Sequence, residues 1–159
     1  MITQELVKEL FEYQDGNLYR KTKIKQTNIG DLSGTFDSKG YRQTRINGVK
    51  ILNHRIIFLM FHGFLPDYID HIDGNPKNNK IENLRNVTQT QNCQNQKIPK
   101  NNTSGLKNVS WHKLQKKWQV RINVNGALKH ICYYHDIQVA KFIAETMRHK
   151  YHQQFSRNN

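Results

Sequence analysis

The chain has few of the residues that would place it in a disulfide-rich, zinc-bound or membrane class. Its 159 residues include two cysteines, Cys93 and Cys132, and no C-x-x-C pair, so we expect no zinc. We expect both thiols to be free and buried, as in a reducing compartment. The chain opens with no signal-peptide pattern, and no apolar run approaches the ~18 residues of a membrane span. The sequence therefore predicts a soluble, cytoplasmic protein with no membrane partner.

Acidic residues are also scarce. The chain has 12 Asp and Glu residues against 25 Lys and Arg residues, which gives a formal net charge of +13. An excess of this size favours a polyanion such as nucleic acid as the partner. Residues 1–99 carry 14 basic and 10 acidic side chains, whereas residues 100–159 carry 11 and 2. The length predicts one or two small domains, of which the C-terminal part is the more strongly basic.

Residues 69–92 contain most of the side chains that are suited to chemistry. Asp70 and His71 are adjacent, Asn83 follows 12 positions later, and Asn92 follows 9 positions after that. Carboxylate and amide oxygens suit Mg²⁺. Histidine is the natural general base near neutral pH. The stretch thus combines the groups that a phosphodiester hydrolase needs.

The local signals in this stretch predict a strand, a loop, a second strand and a helix around one ion. Residues 68–73 are β-compatible, which places the side chains of the adjacent Asp and His on opposite faces of a strand. Asp73-Gly74-Asn75-Pro76 is a strong turn signal. Thr88 and Gln91 have the spacing of a capping box, in which each side chain satisfies the other residue's backbone N–H.

At DHIDGN, NN-x-x-x-NL and VT-x-x-x-N the sequence resembles the HNH endonucleases of phage and intron-encoded type. The resemblance implies that Asp70 and Asn92 bind one divalent ion, Mg²⁺ or Mn²⁺, and that His71 activates a water molecule. It implies that Asn83 holds the hairpin loop and the orientation of the histidine. It also implies an α+β fold in which residues 1–95 form a ββα-metal nuclease domain, with its catalytic core at residues 53–95.

The residues ahead of this core predict its supporting elements. Residues 3–13 are predicted to form an amphipathic helix capped by Thr3. Asn47-Gly48 predicts a tight β-hairpin. An almost wholly apolar run then predicts a buried helix capped by Asn53. We interpret His54, near the start of that helix, as structural, because the resemblance already fills the base and metal roles.

The C-terminal part is predicted to bind DNA. Residues 96–107 are rich in Asn, Gln and Lys and predict a linker, in which Lys97, Lys100 and Lys107 would contact DNA as a basic arm. Residues 108–159 predict a three-stranded antiparallel sheet packed on one helix. The predicted elements are strands 109–114, 117–124 and 127–134 and a helix from residue 137 to about 153, capped by Asp136. The helix residues spaced to lie on the sheet are Val139, Phe142, Ile143, Met147 and Tyr151.

This last domain resembles the ethylene-response-factor type of DNA-binding domain. The resemblance lies in Ser104-Gly105, Asn108-Val109-Ser110-Trp111, Lys117-Trp118 and Val139-Ala140, whereas Ile131-Cys132-Tyr133-Tyr134 stands where that family has Leu-Gly-x-Phe. It implies that the sheet enters the major groove of double-stranded DNA, where arginine commonly reads guanine. The residues that it nominates for DNA contact are His112, Lys116, Lys117, Arg121 and Lys129.

Together, these patterns predict a homing-type DNA endonuclease that nicks or cuts both strands, as a monomer or a homodimer. The alternative is a non-catalytic, sequence-specific DNA-binding regulator with a degenerate nuclease fold. Such a protein would bind DNA in a salt-sensitive way without cleaving it. An RNA-directed protein is a third interpretation, and it is weaker because the sequence has no aromatic stacking signature of an RNA-recognition sheet.

Overall fold

The computed structural model describes residues 2–24, 27–95, 98, 101–124 and 126–152. The chain has a mixed α/β structure with four α-helices and several small sheets among these residues. It divides into two compact units, residues 1–87 and residues 88–159. No helix in the described part of the chain is long and apolar enough to cross a membrane.

The first unit opens with helix α1, Gln4–Leu10, whose first turn is capped by Thr3 as predicted. The predicted extension of this helix to residue 13 is wrong. Strand β1, Phe11–Gln14, pairs instead with β2, Asn17–Arg20, in an antiparallel hairpin. The turn residues Asp15 and Gly16 both have positive φ, 46° and 83°, which suits a two-residue hairpin turn. Pairing between β1 and β2 therefore stabilises this segment as a strand more than an extension of α1 would stabilise it as a helix.

A second sheet leads into the central helix. It contains β3, Thr35–Phe36, β4, Arg42–Ile46, and β5, Val49–Leu52, in the order β3-β4-β5. The predicted hairpin at Asn47-Gly48 is confirmed, since Ile46 pairs with Val49 across it.

Helix α2, Asn53–His62, follows directly. Asn53 is its first residue and not its cap. Its buried side chain accepts a hydrogen bond from the Thr44 hydroxyl (2.8 Å) and donates one to the Ser33 carbonyl (3.0 Å). This asparagine therefore ties α2 to the second sheet.

Helix α2 is buried on most sides, as the sequence predicts. A hairpin of β6, Tyr68–His71, and β7, Leu84–Val87, completes the unit. Its loop ends in a short 3₁₀ turn, Ile81–Asn83. The core joins α1, both N-terminal sheets, α2 and the start of β7 through Val7, Phe11, Leu18, Ile46, Ile56, Ile57, Phe58, Leu59, Met60 and Leu84.

The second unit begins with α3, Gln89–Asn95, which precedes β8, Val109–His112, β9, Lys117–Val124, β10, Ala127–Tyr134, and α4, Ile137–His152. The three strands form an antiparallel sheet in the order β10-β9-β8. The bounds predicted for β9 and β10 are confirmed. Strand β8 is two residues shorter than predicted, because residues 113–116 form the turn into β9. The division ahead of α3 differs from the predicted boundary at residue 95.

Helix α4 packs on the sheet through a stripe that matches the predicted one only in part, at Ile143, Met147 and Tyr151. Ala140 and Ala144 are fully buried against Val109, Val120 and Ile122, and the partly buried residues around them include Trp118, Ile143, Met147 and Tyr151. The predicted contacts of Val139 and Phe142 with the sheet are wrong, since these side chains are exposed. The small alanines let the helix approach closely, so the buried stripe is centred on them.

The two cysteines are free thiols. Cys93 is exposed and Cys132 is half-buried, so the prediction that both are buried is wrong. The short helix α3 carries Cys93 on a solvent-facing position.

Candidate active site and nucleic-acid interface

The β6–β7 hairpin presents the adjacent Asp70 and His71 from the end of one strand. Asp70 lies opposite Arg85 and His71 lies opposite Leu84 in the antiparallel register. Both side chains are buried, at 7% and 5% exposure. Strand β6 ends at His71, two residues earlier than predicted, because the loop that follows turns at once.

The Asp70 carboxylate forms an ion pair with Arg85. Nε and Nη2 of Arg85 both donate to Asp70 Oδ2, at 2.9 Å and 2.7 Å. Charge-assisted hydrogen bonds between mostly buried partners are the strong class of such contacts. The motif does not nominate Arg85, although its place opposite the aspartate follows once the hairpin register is known.

The imidazole of His71 has a buried hydrogen-bond partner, Asn79. The distance between His71 Nε2 and Asn79 Oδ1 is 2.9 Å, and Asn79 is 3% exposed. The ring also meets His54 edge-on, with ring centroids 5.0 Å apart, and lies 6.0 Å from the ring of Tyr41. The resemblance implies that Asn83 orients this ring; in the structure Asn79 is hydrogen-bonded to it.

Asn83 holds the hairpin loop. Its side-chain oxygen accepts from the Asp73 backbone N–H at 3.1 Å, and its amide nitrogen donates to Asp73 Oδ1 at 3.0 Å and to the Asn78 carbonyl at 2.8 Å. Partial burial acts to raise the pKa of the Asp73 carboxyl. Hydrogen bonds from the Asn75 backbone and the Asn78 and Asn83 side chains outweigh it, so this pKa lies below its ordinary value.

His54 stands beside the candidate base as a neutral neighbour. Burial, then the charges of His71 and Arg55, lower the pKa of His54 to about 3. Its ring also lies 5.5 Å from the ring of Tyr41. An imidazole with this pKa is uncharged near neutral pH, which agrees with the structural role predicted for it.

Asn92 lies in α3, in the second unit. The predicted capping box at the start of this helix is confirmed, since the Thr88 N–H donates to Gln91 Oε1 at 2.8 Å and the Gln91 N–H donates to Thr88 Oγ1 at 3.3 Å. The backbone N–H of Asn92 then donates to the Thr88 carbonyl at 3.0 Å. The side chain of Asn92 is half-buried.

The donor chemistry of these residues fits a hard divalent ion. Across the described ranges, no three His, Cys, Asp or Glu side chains are grouped so as to hold a metal. Mg²⁺ needs no such cage, because it keeps several waters and takes one or two protein oxygens together with substrate phosphate. Asp70 in the first unit carries a carboxylate and Asn92 in the second unit carries an amide oxygen, and both are donor types of that kind.

The DNA-contact candidates of the second unit differ in exposure. Arg121, Lys116 and Lys129 are exposed, and Lys117 and His112 are half-buried. The positive φ of Lys116, 48°, belongs to the turn between β8 and β9. The ring of His112 lies 5.1 Å from that of Tyr133, and its Nδ1 accepts the Gln115 N–H.

Of the three linker lysines predicted to contact DNA, the structure describes Lys107. Lys97 and Lys100 lie outside the described residues. Lys107 donates from Nζ to the Gln94 carbonyl at 2.6 Å, and its own carbonyl accepts from Arg148 Nη1 at 2.7 Å. Lys107 is therefore built into the second unit, and its bond to Gln94 helps to place α3 in the same unit.

A cavity of about 610 Å³ lies within the second unit, between residues of α3 and part of the sheet. Its lining includes Cys93 from α3, Ser110 from β8, and Gln119, Arg121 and Asn123 from β9. The three β9 residues alternate with the buried Val120 and Ile122, so they mark the polar face of the sheet. This face combines an arginine with hydrogen-bonding side chains.

The β6–β7 hairpin lies in a part of the chain that is similar to known proteins. A family profile described as HNH endonuclease matches residues 52–94. Protein 3.8 of Escherichia phage T7 is 41% identical to this chain over 90 residues, which cover 57% of this chain and 74% of that protein. The chain therefore belongs to the same family as Protein 3.8 of phage T7, and its residues 52–94 form an HNH endonuclease segment. No solved structure matches it.

The HNH match contains all four residues that the sequence motif nominates. Asp70, His71, Asn83 and Asn92 fall inside residues 52–94, together with α2 and both strands of the hairpin. The strands and helix after residue 94 lie outside the matched range. The ethylene-response-factor resemblance of those residues therefore stays a prediction.

Proposed function

We propose that this protein is a metal-dependent DNA endonuclease in which His71 is the general base. The observation that carries the proposal is the buried His71 imidazole, held by Asn79 at the end of the strand that also carries Asp70, in the segment that matches the family. General bases act through an oriented lone pair within reach of the proton that they remove. The proposed place of action is the cytoplasm of a phage-infected cell.

The proposed reaction is hydrolysis of one phosphodiester by water. His71 takes a proton from the attacking water, which adds to phosphorus in line with the departing 3′-oxygen. The products are a 5′-phosphate and a 3′-hydroxyl end. Asp70 and Asn92 are the proposed ligands of one Mg²⁺ or Mn²⁺ ion. Such an ion would neutralise charge on the scissile phosphate and on the leaving oxygen.

The second unit is proposed to hold the DNA. Its polar sheet face carries Arg121 and Gln119, and Lys116 and Lys129 are exposed on the same unit. Phosphate contacts from such side chains fix a protein on the duplex, whereas contacts to base edges give specificity. The major-groove docking implied by the ethylene-response-factor resemblance, and the homing role, are parts of this proposal.

Nicking of supercoiled plasmid tests the proposal most directly. The wild-type protein is incubated with Mg²⁺ or Mn²⁺ beside His71→Ala, and EDTA serves as the metal-free control. His135→Ala is the matched control, because it removes an exposed histidine of the second unit. We expect wild type and His135→Ala to relax the plasmid and His71→Ala to be about 100-fold slower or worse.

Equal relaxation by His71→Ala would place the base elsewhere. Because a plasmid can lack the recognition site, the same comparison uses the genomic DNA that flanks the gene. Binding without cleavage of that DNA would contradict the nuclease assignment.

A DNA-binding regulator is the second candidate, and the ion pair between Asp70 and Arg85 is the observation that favours it. A guanidinium bonded to the proposed metal ligand supplies a positive charge where a nuclease would place its ion. A regulator of this kind would bind DNA with strong salt dependence and show no Mg²⁺-dependent cleavage. Isothermal titration of the protein with Mn²⁺ separates the two candidates independently of any DNA site.

A further inference from the structure

We propose that Asn79 is the positioning residue of His71, and that the β1–β2 turn holds Asn79 in place. The inference deepens the proposed function, because it concerns the lone pair that a general base must present. It joins two parts of the first unit that are distant in sequence, the turn at residues 15–16 and the loop between β6 and β7. Asn79 is part of the NN-x-x-x-NL element of the HNH motif, but the resemblance gives it no role, and the turn at residues 15–16 lies outside the motif.

The first step concerns the ring nitrogen that carries the proton. An amide oxygen accepts hydrogen bonds and cannot donate them, so Asn79 Oδ1 at 2.9 Å requires a proton on His71 Nε2. The neutral ring then has its lone pair on Nδ1. The hydrogen bond to one ring nitrogen sets the state of the other, and Asn79 thereby selects the tautomer of the neutral ring.

The second step concerns what holds Asn79. The turn residue Gly16 has φ of +83°, and a Cβ atom at this position would lie 2.9 Å from Lys80 N and 3.1 Å from the carbonyl carbon of Asn79. The backbone of the turn therefore lies directly against the peptide between Asn79 and Lys80. Only glycine allows both this backbone conformation and this approach.

Two further contacts fix the same segment. The hydroxyl of Tyr13, on β1, accepts the backbone N–H of Ile81 at 3.1 Å. Asp15 and Lys80 form an ion pair at 2.7 Å; both side chains are well exposed, so this pair contributes little. Tyr13 and Asp15, which both precede Gly16, thus bond to the residues that follow Asn79.

The third step concerns the other sides of the ring. His54 meets the imidazole edge-on and Tyr41 lies tilted beside it. These rings restrict rotation of the imidazole, and Asn79 distinguishes its two nitrogens. The hydrogen bond between His71 and Asn79 therefore sets the tautomer, and packing against His54 and Tyr41 sets the plane of the ring.

The test reads the tautomer directly, by two-bond ¹⁵N–¹H correlation spectra of the uniformly labelled, full-length protein. Spectra are recorded well above the ordinary imidazole pKa, so that neutral rings are observed, and the signals of His71 are those missing from His71→Ala. We expect wild-type His71 to be a single tautomer with its proton on Nε2. Predominant protonation on Nδ1 in the wild type would overturn the proposal without any variant.

Two substitutions of Asn79 follow. Asn79→Leu keeps the approximate size and removes the acceptor, so we expect a mixture of tautomers and about 10- to 100-fold slower nicking, as for other residues that orient a catalytic histidine. Asn79→Asp keeps an acceptor and should retain the Nε2 proton. DNA affinity should be unchanged in both. A single Nε2 tautomer and wild-type nicking in Asn79→Leu would refute the positioning role.

The turn is tested with a matched pair of glycines in the same unit. Gly16→Ala introduces a Cβ against the Lys80 backbone, whereas Gly48→Ala has the same strain, at φ of +80°, and nothing within 4 Å. We expect Gly16→Ala to perturb the His71 signals and to slow nicking by about tenfold or more relative to Gly48→Ala. Equal effects of the two substitutions would show that backbone strain, and not contact with the loop, is responsible.

Failure of this proposal is distinguishable from failure of the proposed function. If no DNA is cleaved but His71 has one Nε2 tautomer that Asn79→Leu disturbs, then Asn79 positions the ring and the nuclease assignment is wrong. If wild type cleaves DNA and the tautomer is indifferent to Asn79, the nuclease stands and Asn79 has no positioning role.

Discussion

The β6–β7 hairpin of the first unit and the β8–β10 sheet of the second differ in how far their polar side chains are exposed. In the hairpin, Asp70 and His71 are buried, and each is bonded to a named side chain, Arg85 or Asn79. In the sheet, Arg121 is exposed on a polar face. The hairpin fixes its groups in one geometry, and the sheet leaves its groups accessible to a partner.

This difference matches the two tasks proposed for the protein. A group that moves a proton must be held close to its productive geometry, because small misplacements have large effects on rate. A group that contacts phosphate has to reach a mobile, hydrated polyanion, and it acts through charge more than through exact placement. Burial in the hairpin and exposure in the sheet are therefore two solutions to different physical requirements.

Acidification should have the largest effect on the first unit, because its hairpin packs against a buried neutral histidine. The pKa of His54 is about 3 in the fold, below the ordinary value of 6.5, so the unfolded chain binds more protons between these values. We expect the free energy of unfolding of the first unit to fall by about 1.4 kcal/mol per pH unit below pH 6.5, levelling off near pH 3.

The variant His54→Phe keeps a ring beside His71, Tyr41 and Arg55 and removes the titration. Urea unfolding measured from pH 7 to pH 4 should therefore show a shallower loss of stability in His54→Phe than in wild type. The same acid dependence in both proteins would mean that His54 is protonated in the fold.

Removal of Arg85 should have the next largest effect. Arg85→Ala leaves the buried Asp70 carboxylate without its guanidinium, and breaking a buried ion pair from one side costs about 3 kcal/mol or more. Arg121→Ala is the matched change in the sheet, and exposed substitutions of this kind usually lie within about 0.5 kcal/mol. Hydrogen exchange measured by peptide mass spectrometry reports each unit separately. A cost for Arg121→Ala as large as that for Arg85→Ala would contradict the contrast between the two regions.

Sequence signals that act over a few residues gave correct local structure. The Asn47-Gly48 hairpin, the capping box of Thr88 and Gln91 and the alternation along β9 all depend on neighbours in the chain, and the structure contains each of them. The errors arose where distant residues compete. The end of α1 depends on pairing with β2, and the buried face of α4 depends on which side chains let it approach the sheet.

The same limit applies to the candidate site. Asp70 and His71 could be found because they are adjacent and belong to a recognisable motif. Arg85 and Asn79 could not be assigned their partners, because they reach those partners only through the hairpin register and the conformation of the loop. Alternation along a strand predicted that Asp70 and His71 point to opposite faces, but it could not show that both side chains are buried.

The smallest expected effect concerns DNA binding by the sheet of the second unit. Arg121→Gln should weaken DNA binding and reduce the slope of log affinity against log salt by about 0.9, the value for one lost phosphate contact on duplex DNA. Arg45→Gln makes the same change of charge at an exposed position in the first unit. Fluorescence anisotropy over a salt series measures both slopes. An unchanged slope in Arg121→Gln, or an equal reduction in Arg45→Gln, would show that this sheet face does not hold the DNA backbone.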